Sequence, residues 1–344
     1  MKYYALKELF LCRMRQFYRE PEALFWTYGF PILLTAGLGI AFRNRPPDMI
    51  DVAVEDTPAT QQIREVLEAD ETFHLQVASA EDCGRMLRLG QVALLVIPAE
   101  SGYEYRFDPS RPETALARHK VNDALQRAAG RSDPAPVADA HVTEPGARYI
   151  DFLVPGLLGM NLMGGGLWGV GFVTVDMRLR KLLRRLVATP MKKHAFLISL
   201  IGGRMVFTLP EMLLLLGTGW LMFRIAIVGS LASVFVICLV GGLSFAGLGL
   251  LIACRAQKME TISGLMNLVM LPMWLFGGIF FSSSRFPEAM QPFIQALPIT
   301  QLNNALRAVI LEGATLASQT VPMLILLAWG SISFVLALRW FKWT

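Results

Sequence analysis

The stretch VDMRLRKLLRRLVATPMKKHA, residues 175–195, is a dense basic segment set between two long apolar runs. Before it, the 24 residues from Phe152 to Val175 carry no charge, and after it a mostly apolar run extends from Phe196 to Phe223. A helix of about 20 apolar residues crosses the hydrocarbon layer of a bilayer, so both runs are long enough to span it. The segment therefore predicts two membrane spans joined by a basic loop.

The composition of the whole chain agrees with a membrane protein. Of its 344 residues 54% are hydrophobic and 17% are charged, whereas roughly a quarter are charged in soluble domains. Further apolar runs of similar length predict six transmembrane helices. We place them at residues 23–42, 150–175, 195–223, 225–254, 261–282 and 314–338. The predicted fold class is an all-α polytopic membrane protein with a small α/β domain inserted after the first helix.

Charge is divided unevenly along the chain. Residues 46–149 hold 18 acidic and 10 basic side chains, a net of −8, whereas the rest has a net of +13. With the N-terminus inside, 16 basic residues lie in short cytoplasmic pieces and three in the short outer loops. Basic residues favour the cytoplasmic side of a membrane. The count predicts a multi-pass protein with cytoplasmic termini and an extracytoplasmic inserted domain.

The inserted domain, residues 43–149, alternates between strand-like and helix-like patterns. Strand-like patterns predict strands at 49–56, 74–79, 91–99 and 103–108. Helical patterns predict helices at 58–70, 80–90 and 111–130. The histidines and Cys83 have no metal-ligand spacing, so we predict neither a metal site nor catalysis in this domain.

The two ends of the chain are short and basic. Residues 1–22 interleave apolar and basic side chains, which predicts an amphipathic elbow helix at the cytoplasmic interface. Pro21 would then turn the chain into the bilayer. The first apolar run is too long for the core of a cleavable signal peptide and is interpreted as a signal anchor. Residues 339–344 are predicted to form a cytoplasmic tail.

Motifs typical of enzymes are absent from the sequence. It contains no G-x-x-x-x-G-K-[ST] loop for nucleotide phosphates, no G-x-S-x-G and no H-E-x-x-H. We therefore assign no catalytic residue, metal or cofactor to this chain, and any ATP and Mg would be bound by another subunit. Nucleic-acid binding is not expected, because the basic residues cluster beside the membrane spans.

The basic segment can form a short amphipathic helix that ends before Thr189-Pro190. Such a helix could press into a groove of a cytoplasmic subunit. It could equally lie on anionic lipid and fix the orientation of the chain. The residues alone leave both interpretations open.

Arg204 and Glu211 are charged residues inside the third predicted span. They are seven residues apart, so they share a helix face at about 10 Å along the axis. Charges inside a membrane are costly and usually face a cavity or a partner. Glu211 could line a transport pathway, or Arg204 could reach the cytoplasmic interface while Glu211 pairs within the bundle. The glycines at 164–166 could belong to a pathway or to a closely packed helix seam.

Three segments resemble one protein family. RRLVATPMKKHAFLISLIGGRM resembles the loop after the second span of type-2 ATP-binding-cassette (ABC) transporter permeases, where R-L-L-A-T-P precedes the third span. RQFYREPEALFWTYGFPIL (15–33) is similar to the family's opening elbow, with its R-D/E-P turn. LFGGIFFSSSRFPEAMQPFIQALPITQLNNALRAVILEG (275–313) resembles its penultimate span and the F-P … L-P-x-T … A-x-R segment. The insert after the first span suggests the bacterial exporter subgroup with a large extracytoplasmic domain there.

The resemblance implies a permease subunit of an ATP-driven exporter of drugs, lipids or other amphiphiles. Its implied partners are a second permease subunit, an ABC ATP-binding subunit and a periplasmic adaptor. The coupling helix and its loop would map to residues 176–194. The implied docking residues are Asp176, Arg178, Arg180, Lys181, Arg184, Arg185, Thr189 and Pro190. Candidate residues of the pathway, or of re-entrant outer helices at 283–313, are Glu211, Gly164, Gly165, Gly166, Pro287, Pro298 and Arg307.

Two other functions remain open at the level of the sequence. The chain could be an ion-coupled transporter that uses Glu211 as its carrier. It could also be a membrane receptor or scaffold whose extracytoplasmic domain binds a ligand.

Overall fold

The computed structural model describes residues 10–11, 14–15, 17–43, 49–99, 102–132, 135, 148–188 and 193–342. The chain divides into two compact units. One unit joins Met1–Arg43 to Val142–Thr344 and contains the long apolar helices. The other, Asn44–His141, contains the sheet.

The described helices and strands are numbered in chain order. They are α1 (Pro21–Leu24), α2 (Phe30–Arg43), β1 (Ile50–Glu55), α3 (Thr60–Glu68), β2 (Phe73–Ala78), α4 (Ala80–Leu89), β3 (Leu94–Ala99), β4 (Gly102–Arg106), α5 (Pro112–Ala128), α6 (Tyr149–Gly166), α7 (Val173–Leu179), α8 (Leu182–Val187), α9 (Lys193–Phe223), α10 (Leu231–Ala253), α11 (Met259–Phe276), α12 (Gln291–Ala296), α13 (Pro298–Glu312) and α14 (Thr320–Trp340). Wide π-helical turns at Phe25–Gly29 and Leu167–Phe172 join α1 to α2 and α6 to α7.

Six helices in the described part of the chain are long and apolar enough to cross a membrane, and we call them spans 1 to 6. They are Pro21–Ala41, Tyr149–Leu179, Phe196–Phe223, Leu231–Ala253, Met259–Phe276 and Leu316–Trp340. Six transmembrane helices were expected from the sequence, and this prediction is confirmed. Within lipid every backbone polar group needs an internal partner, which an uncharged run provides by forming a helix.

Three span ends differ from the predicted boundaries by more than two residues. Span 2 continues past residue 175 to Leu179. Span 4 begins at Leu231 instead of 225, because Arg224 has a left-handed φ of 54° and the chain is not helical again until Leu231. Span 5 ends at Phe276 instead of 282, and Gly278 follows with a φ of 68°. Glycine adopts this left-handed conformation without steric cost, so it permits the sharp turn after span 5.

A side chain of span 2 replaces a backbone hydrogen bond that span 1 lacks. Pro31 lacks an N–H, so the carbonyl of Thr27 loses its usual helical donor four residues later. The side-chain amide of Asn161 in span 2 donates to that oxygen at 3.4 Å. A polar side chain within an apolar helix thus satisfies a backbone group of its neighbour.

Spans 2 and 4 form the centre of the membrane unit, and glycines bring helices close to span 4 on two sides. A Cβ on Gly166 would overlap the backbone of Phe245 in span 4. On the other side, a Cβ on Gly247 would lie 2.8 Å from the carbonyl oxygen of Gly330 in span 6. Small residues allow such approach, and van der Waals contact then stabilises helices that the hydrophobic effect does not hold together in lipid.

The α/β unit contains a four-stranded sheet of order β2-β1-β3-β4. Strand β1 pairs in parallel with β2 and β3, whereas β4 pairs with β3 in antiparallel register, Ala99 opposite Gly102. The prediction of a small α/β insert is confirmed. Val52 and Val54 of β1 pack in the same core as residues of α3 and α5, and Ala53 packs on the other face with Cys83 of α4. This burial raises the pKa of the Cys83 thiol.

Two predicted segments at the edges of the membrane unit need separate mention. The predicted elbow helix at 1–22 lies mostly outside the described residues, although Phe17 is described and its ring centroid is 3.9 Å from that of Phe207 in span 3. Residues 283–313 contain two 3-10 turns, Ser283–Arg285 and Glu288–Met290, followed by α12 and α13.

Candidate functional site

The basic segment forms the end of one helix and a second, short helix. Helix α7 continues span 2 to Leu179, a turn follows in which Lys181 has a φ of 59°, and α8 then runs over Leu182–Val187. The expected single amphipathic helix is therefore wrong in its form. A non-glycine residue in the left-handed region ends one helix and redirects the next. Thr189 and Pro190 lie outside the described residues.

The outer surface of this segment is cationic and its inner surface is apolar. Arg180, Lys181, Arg184 and Arg185 are exposed. Asp176 accepts a hydrogen bond from Nε of Arg180 at 2.9 Å, in an ion pair that leaves 70% of the arginine side chain exposed. On the inner side Leu183 is fully buried, packed with residues of spans 3, 4 and 6. We call the four exposed residues Arg180, Lys181, Arg184 and Arg185 the cationic surface.

Arg178 is not part of this surface, contrary to its predicted docking role. The residue is only 8% exposed. Its Nη1 donates to the carbonyls of Ala253 and Ala256 at 2.8 and 2.5 Å, and its Nη2 to that of Cys254 at 3.1 Å. Its Nε donates to the carbonyl of Lys342 at 3.0 Å. The guanidinium thus binds the end of span 4 and the chain after span 6.

Arg204 and Glu211 form a buried bidentate ion pair within span 3. Arginine Nη1 donates to Oε1 at 2.5 Å and Nη2 to Oε2 at 2.8 Å. The long arginine side chain bridges the two helical turns that separate the residues. Glu211 is only 1% exposed, so in this structure it faces its partner instead of an open pathway. The alternative interpretation agrees with the structure in one part, because Glu211 pairs within the bundle. Its other part, in which Arg204 reaches the cytoplasmic interface, is wrong, because the guanidinium is held in the bundle.

The three consecutive glycines of α6 have three different surroundings. Gly164 has no neighbouring atom within 4 Å of where its Cβ would stand. Gly165 lies against the guanidinium of Arg204, which a Cβ would overlap. Gly166 lies against the backbone of span 4. The motif therefore combines a slot for a charged side chain with a helix-packing contact.

The segment from Ser283 to Glu312 is tied to the start of span 2 by Arg307. Its Nη2 donates to the carbonyls of Gly278 at 2.5 Å and Phe152 at 3.1 Å. Its Cζ lies 3.5 Å from the ring centroid of Phe152, in a cation–π contact. Pro298 occupies the first turn of α13, where its missing N–H costs nothing. Pro287 precedes the second 3-10 turn.

A family model described as "ABC-2 family transporter protein" matches residues 21–339, most of the chain. The chain belongs to the ABC-2 transporter family. It is also similar to "ABC transporter G family member 20" of Dictyostelium discoideum, at 25% identity over 189 residues. That match covers 54% of this chain but 26% of the relative, so the matched part spans about a quarter of the relative's length.

Two polar residues of this ABC-2 family chain that were not predicted as functional donate hydrogen bonds from their side chains to backbone carbonyls. Asn161 donates to span 1, as described above, and Asn303 of α13 donates from Nδ2 to the carbonyl of Gly277 at 2.8 Å. Asn303 thereby caps the chain just after span 5. The signal for Asn161 was available, because it is an uncharged polar residue in an otherwise apolar helical stretch, where a hydrogen-bond partner is required. Asn303 gave no such signal, because Gln301 and Asn304 lie beside it. Within the described residues, no group of three His, Cys, Asp or Glu side chains could hold a metal.

Proposed function

We propose that this chain is the membrane-spanning permease subunit of an ATP-driven exporter. A second permease subunit would complete the pathway, and an ATP-binding subunit would dock on each copy. The sequence has no phosphate-binding loop, so ATP and Mg would be bound by those partner subunits. In this proposal the permease moves substrate and performs no chemistry of its own.

The observation that carries the proposal is the cationic surface beside a buried anchor. Four basic side chains stand exposed on the short segment after span 2, while Leu183 fixes that segment in the apolar core. A charged surface on a firmly held helix is suited to docking, because it can receive a displacement and pass it on without deforming.

We infer the orientation from charge, and the location from the resemblance to bacterial exporters with an insert after the first span. The cationic surface would face the cytoplasm, with both termini on the same side and the α/β unit outside, in the cytoplasmic membrane of a bacterium. The substrate would be an amphiphile such as a drug or a lipid. A periplasmic adaptor would be an additional partner, with the α/β unit as the part placed to meet it.

The docking role is tested by reversing charge on the cationic surface. The triple variant Arg180→Glu/Arg184→Glu/Arg185→Glu should fold but lose co-purification with the ATP-binding subunit. Exposed arginines outside the segment, Arg88 and Arg285, provide the control as Arg88→Glu/Arg285→Glu. The proposal fails if the triple variant retains as much ATP-binding subunit as the control does.

The ion-coupled alternative makes a different demand on the pair in span 3. A carrier needs Glu211 to bind and release an ion during each cycle, whereas both its oxygens accept hydrogen bonds from Arg204. This contact favours a structural role. An ion-coupled carrier would lose transport in Glu211→Gln and would keep it when the ATP-binding subunit is inactivated. The proposed exporter would lose transport when the ATP-binding subunit is inactivated.

A further inference from the structure

The Arg178 guanidinium connects three parts of the membrane unit that are far apart in sequence. It belongs to α7, the last turns of span 2 before the cationic surface. Its acceptors include Ala253, 75 residues later at the end of span 4, and Lys342, 164 residues later after span 6. The backbone N–H of Lys342 in turn donates to the carbonyl of Cys254 at 3.0 Å. The ends of spans 2, 4 and 6 thus meet at one side chain.

The chemistry of this contact explains why an arginine is needed. The last carbonyls of a helix have no intrahelical donors and carry the negative end of the helix dipole. Arginine offers five N–H groups in a rigid planar fork, so one side chain can satisfy several carbonyls in different directions. Its Cζ also lies 5.1 Å from the ring centroid of Phe341. A lysine would bring the charge but not the divergent, fixed donors.

An apolar cluster supports the same connection. Leu183 of α8, Leu200 of span 3, Leu250 of span 4 and Phe341 after span 6 are buried together. Leu183 follows the exposed Lys181 by two residues, so a force on the cationic surface reaches this cluster directly. Closely packed interiors are stiff and transmit displacement instead of absorbing it.

We propose that Arg178 is a positioning residue that transmits movement of the docking segment to the ends of spans 4 and 6. This inference rests on the proposed function, since it assumes that an ATP-binding subunit displaces the segment. Arg178 itself touches neither the partner nor the substrate. Without it, α7 and α8 would still present the cationic surface, but the movement would no longer be carried to the other spans.

The test separates docking from transmission. The full chain, with its cysteines replaced, is assembled with its ATP-binding subunit in lipid nanodiscs and spin-labelled at Ser284→Cys in the paired permeases. The label distance is measured without nucleotide and with Mg-ADP-vanadate trapped. Arg178→Gln is compared with Arg255→Gln, the matched control, because Arg255 is an exposed arginine next to the same helix end.

We expect Arg178→Gln to retain the ATP-binding subunit and its ATP hydrolysis, while the nucleotide-dependent distance change decreases at least about twofold. Arg255→Gln should behave like the wild type. Arg178→Lys keeps the charge and is the milder change. Its nucleotide-dependent distance change should lie between those of Arg178→Gln and Arg255→Gln. A full distance change in Arg178→Gln overturns the proposal, and so does loss of the ATP-binding subunit, which would make Arg178 a docking residue.

A measurement on the permease alone keeps this inference distinct from the proposed function. Labels at Ala188→Cys and Arg339→Cys report the distance between the end of α8 and the last turn of span 6. Arg178→Gln should broaden that distance distribution, and Arg255→Gln should not. If the wild type captures no ATP-binding subunit, the proposed function fails. An unbroadened distribution in Arg178→Gln overturns the connection made by Arg178, whatever the wild type binds.

Discussion

The arginine contacts at the two ends of span 2 differ in kind from the arginine contact beside its middle. At the ends, Arg307 and Arg178 donate to backbone carbonyls, and each also lies against a phenylalanine ring. Beside the middle, at Gly165, Arg204 binds the carboxylate of Glu211. Phe152 and Arg178 are 26 positions apart, roughly 39 Å along a helix. The arginine at each end therefore binds backbone carbonyls, whereas the arginine beside the middle binds a carboxylate.

The difference lies in what each arginine requires of the rest of the sequence. Backbone carbonyls are present whatever the side chains are, so one arginine is enough to make such a contact. A carboxylate is a second charged side chain, and removing either member leaves the other buried and unpaired. The ends should therefore tolerate change better than the middle does, and four experiments test this order.

The largest effect should come from breaking the pair in span 3. Arg204→Leu or Glu211→Leu should each lower the free energy of unfolding by about 3–5 kcal/mol, because one charge remains buried alone. The double variant Arg204→Met/Glu211→Leu removes both charges and should recover most of that loss. Thermal unfolding in detergent measures all three variants. A double variant as unstable as the singles would show that the pair is needed as such.

A smaller loss is expected at the first end of span 2. In Arg307→Lys the ammonium cannot reach the carbonyls of Phe152 and Gly278 together, so we expect a loss of about 2–3 kcal/mol. Arg285→Lys is the control, because Arg285 lies in the same segment between spans 5 and 6 but is exposed. Both are compared by thermal unfolding in detergent. Equal unfolding temperatures would contradict a role for the carbonyl contacts.

The slot for Arg204 can be tested without touching a charge. Gly165→Ala places a methyl group on the guanidinium and should cost about 1–3 kcal/mol. Gly164→Ala meets no atom within 4 Å, so it should be neutral or stabilise the helix by up to about 1 kcal/mol. The unfolding midpoint should fall in Gly165→Ala and should stay level or rise in Gly164→Ala. Two equal losses would mean that the glycines matter only as a general packing seam.

The smallest effect should come from the exposed ion pair beside Arg178. Asp176→Asn removes the partner of Arg180, whose side chain is mostly exposed. Surface pairs of this kind are worth little, so we expect a change below about 0.5 kcal/mol, and none in high salt. Thermal unfolding at two salt concentrations checks this. A loss as large as that of Arg307→Lys would show that exposure does not separate the two kinds of contact.

Much of the fold could be predicted because its signals are local. The uncharged run from Phe152 to Val175 is long enough to span a membrane. The β-branched Val52 and Val54 favour a strand at β1, which is buried on both faces. The predicted helix ends were less accurate where the backbone conformation of a single residue determines the end of the helix. The left-handed φ of Arg224 has no signal in residue type. The Gly277-Gly278 pair is a turn signal, but the apolar residues that follow it led to a predicted span end at 282.

The contacts of the candidate site could not be predicted, because they join distant parts of the chain. The sequence shows that Arg178 is basic, but not that its acceptors lie 75 and 164 residues away. The spacing of Arg204 and Glu211 indicates a shared face, whereas the length and rotamer of the arginine decide whether they touch. Neighbouring glycines point about 100° apart on a helix, so each of the three meets a different part of the structure.

The wide turn at Leu167–Phe172 separates Gly165 from Arg178 along span 2. A π turn accommodates an extra residue within an α-helix, and each residue rotates the chain by about 100°. Deleting one residue there would leave a continuous helix but turn Arg178 away from the end of span 4. The extra residue of the π turn thus sets how far the part of the helix that contains Arg178 is rotated about the axis relative to the part that contains Gly165. An alignment with a relative that lacks it would need a one-residue gap at this turn.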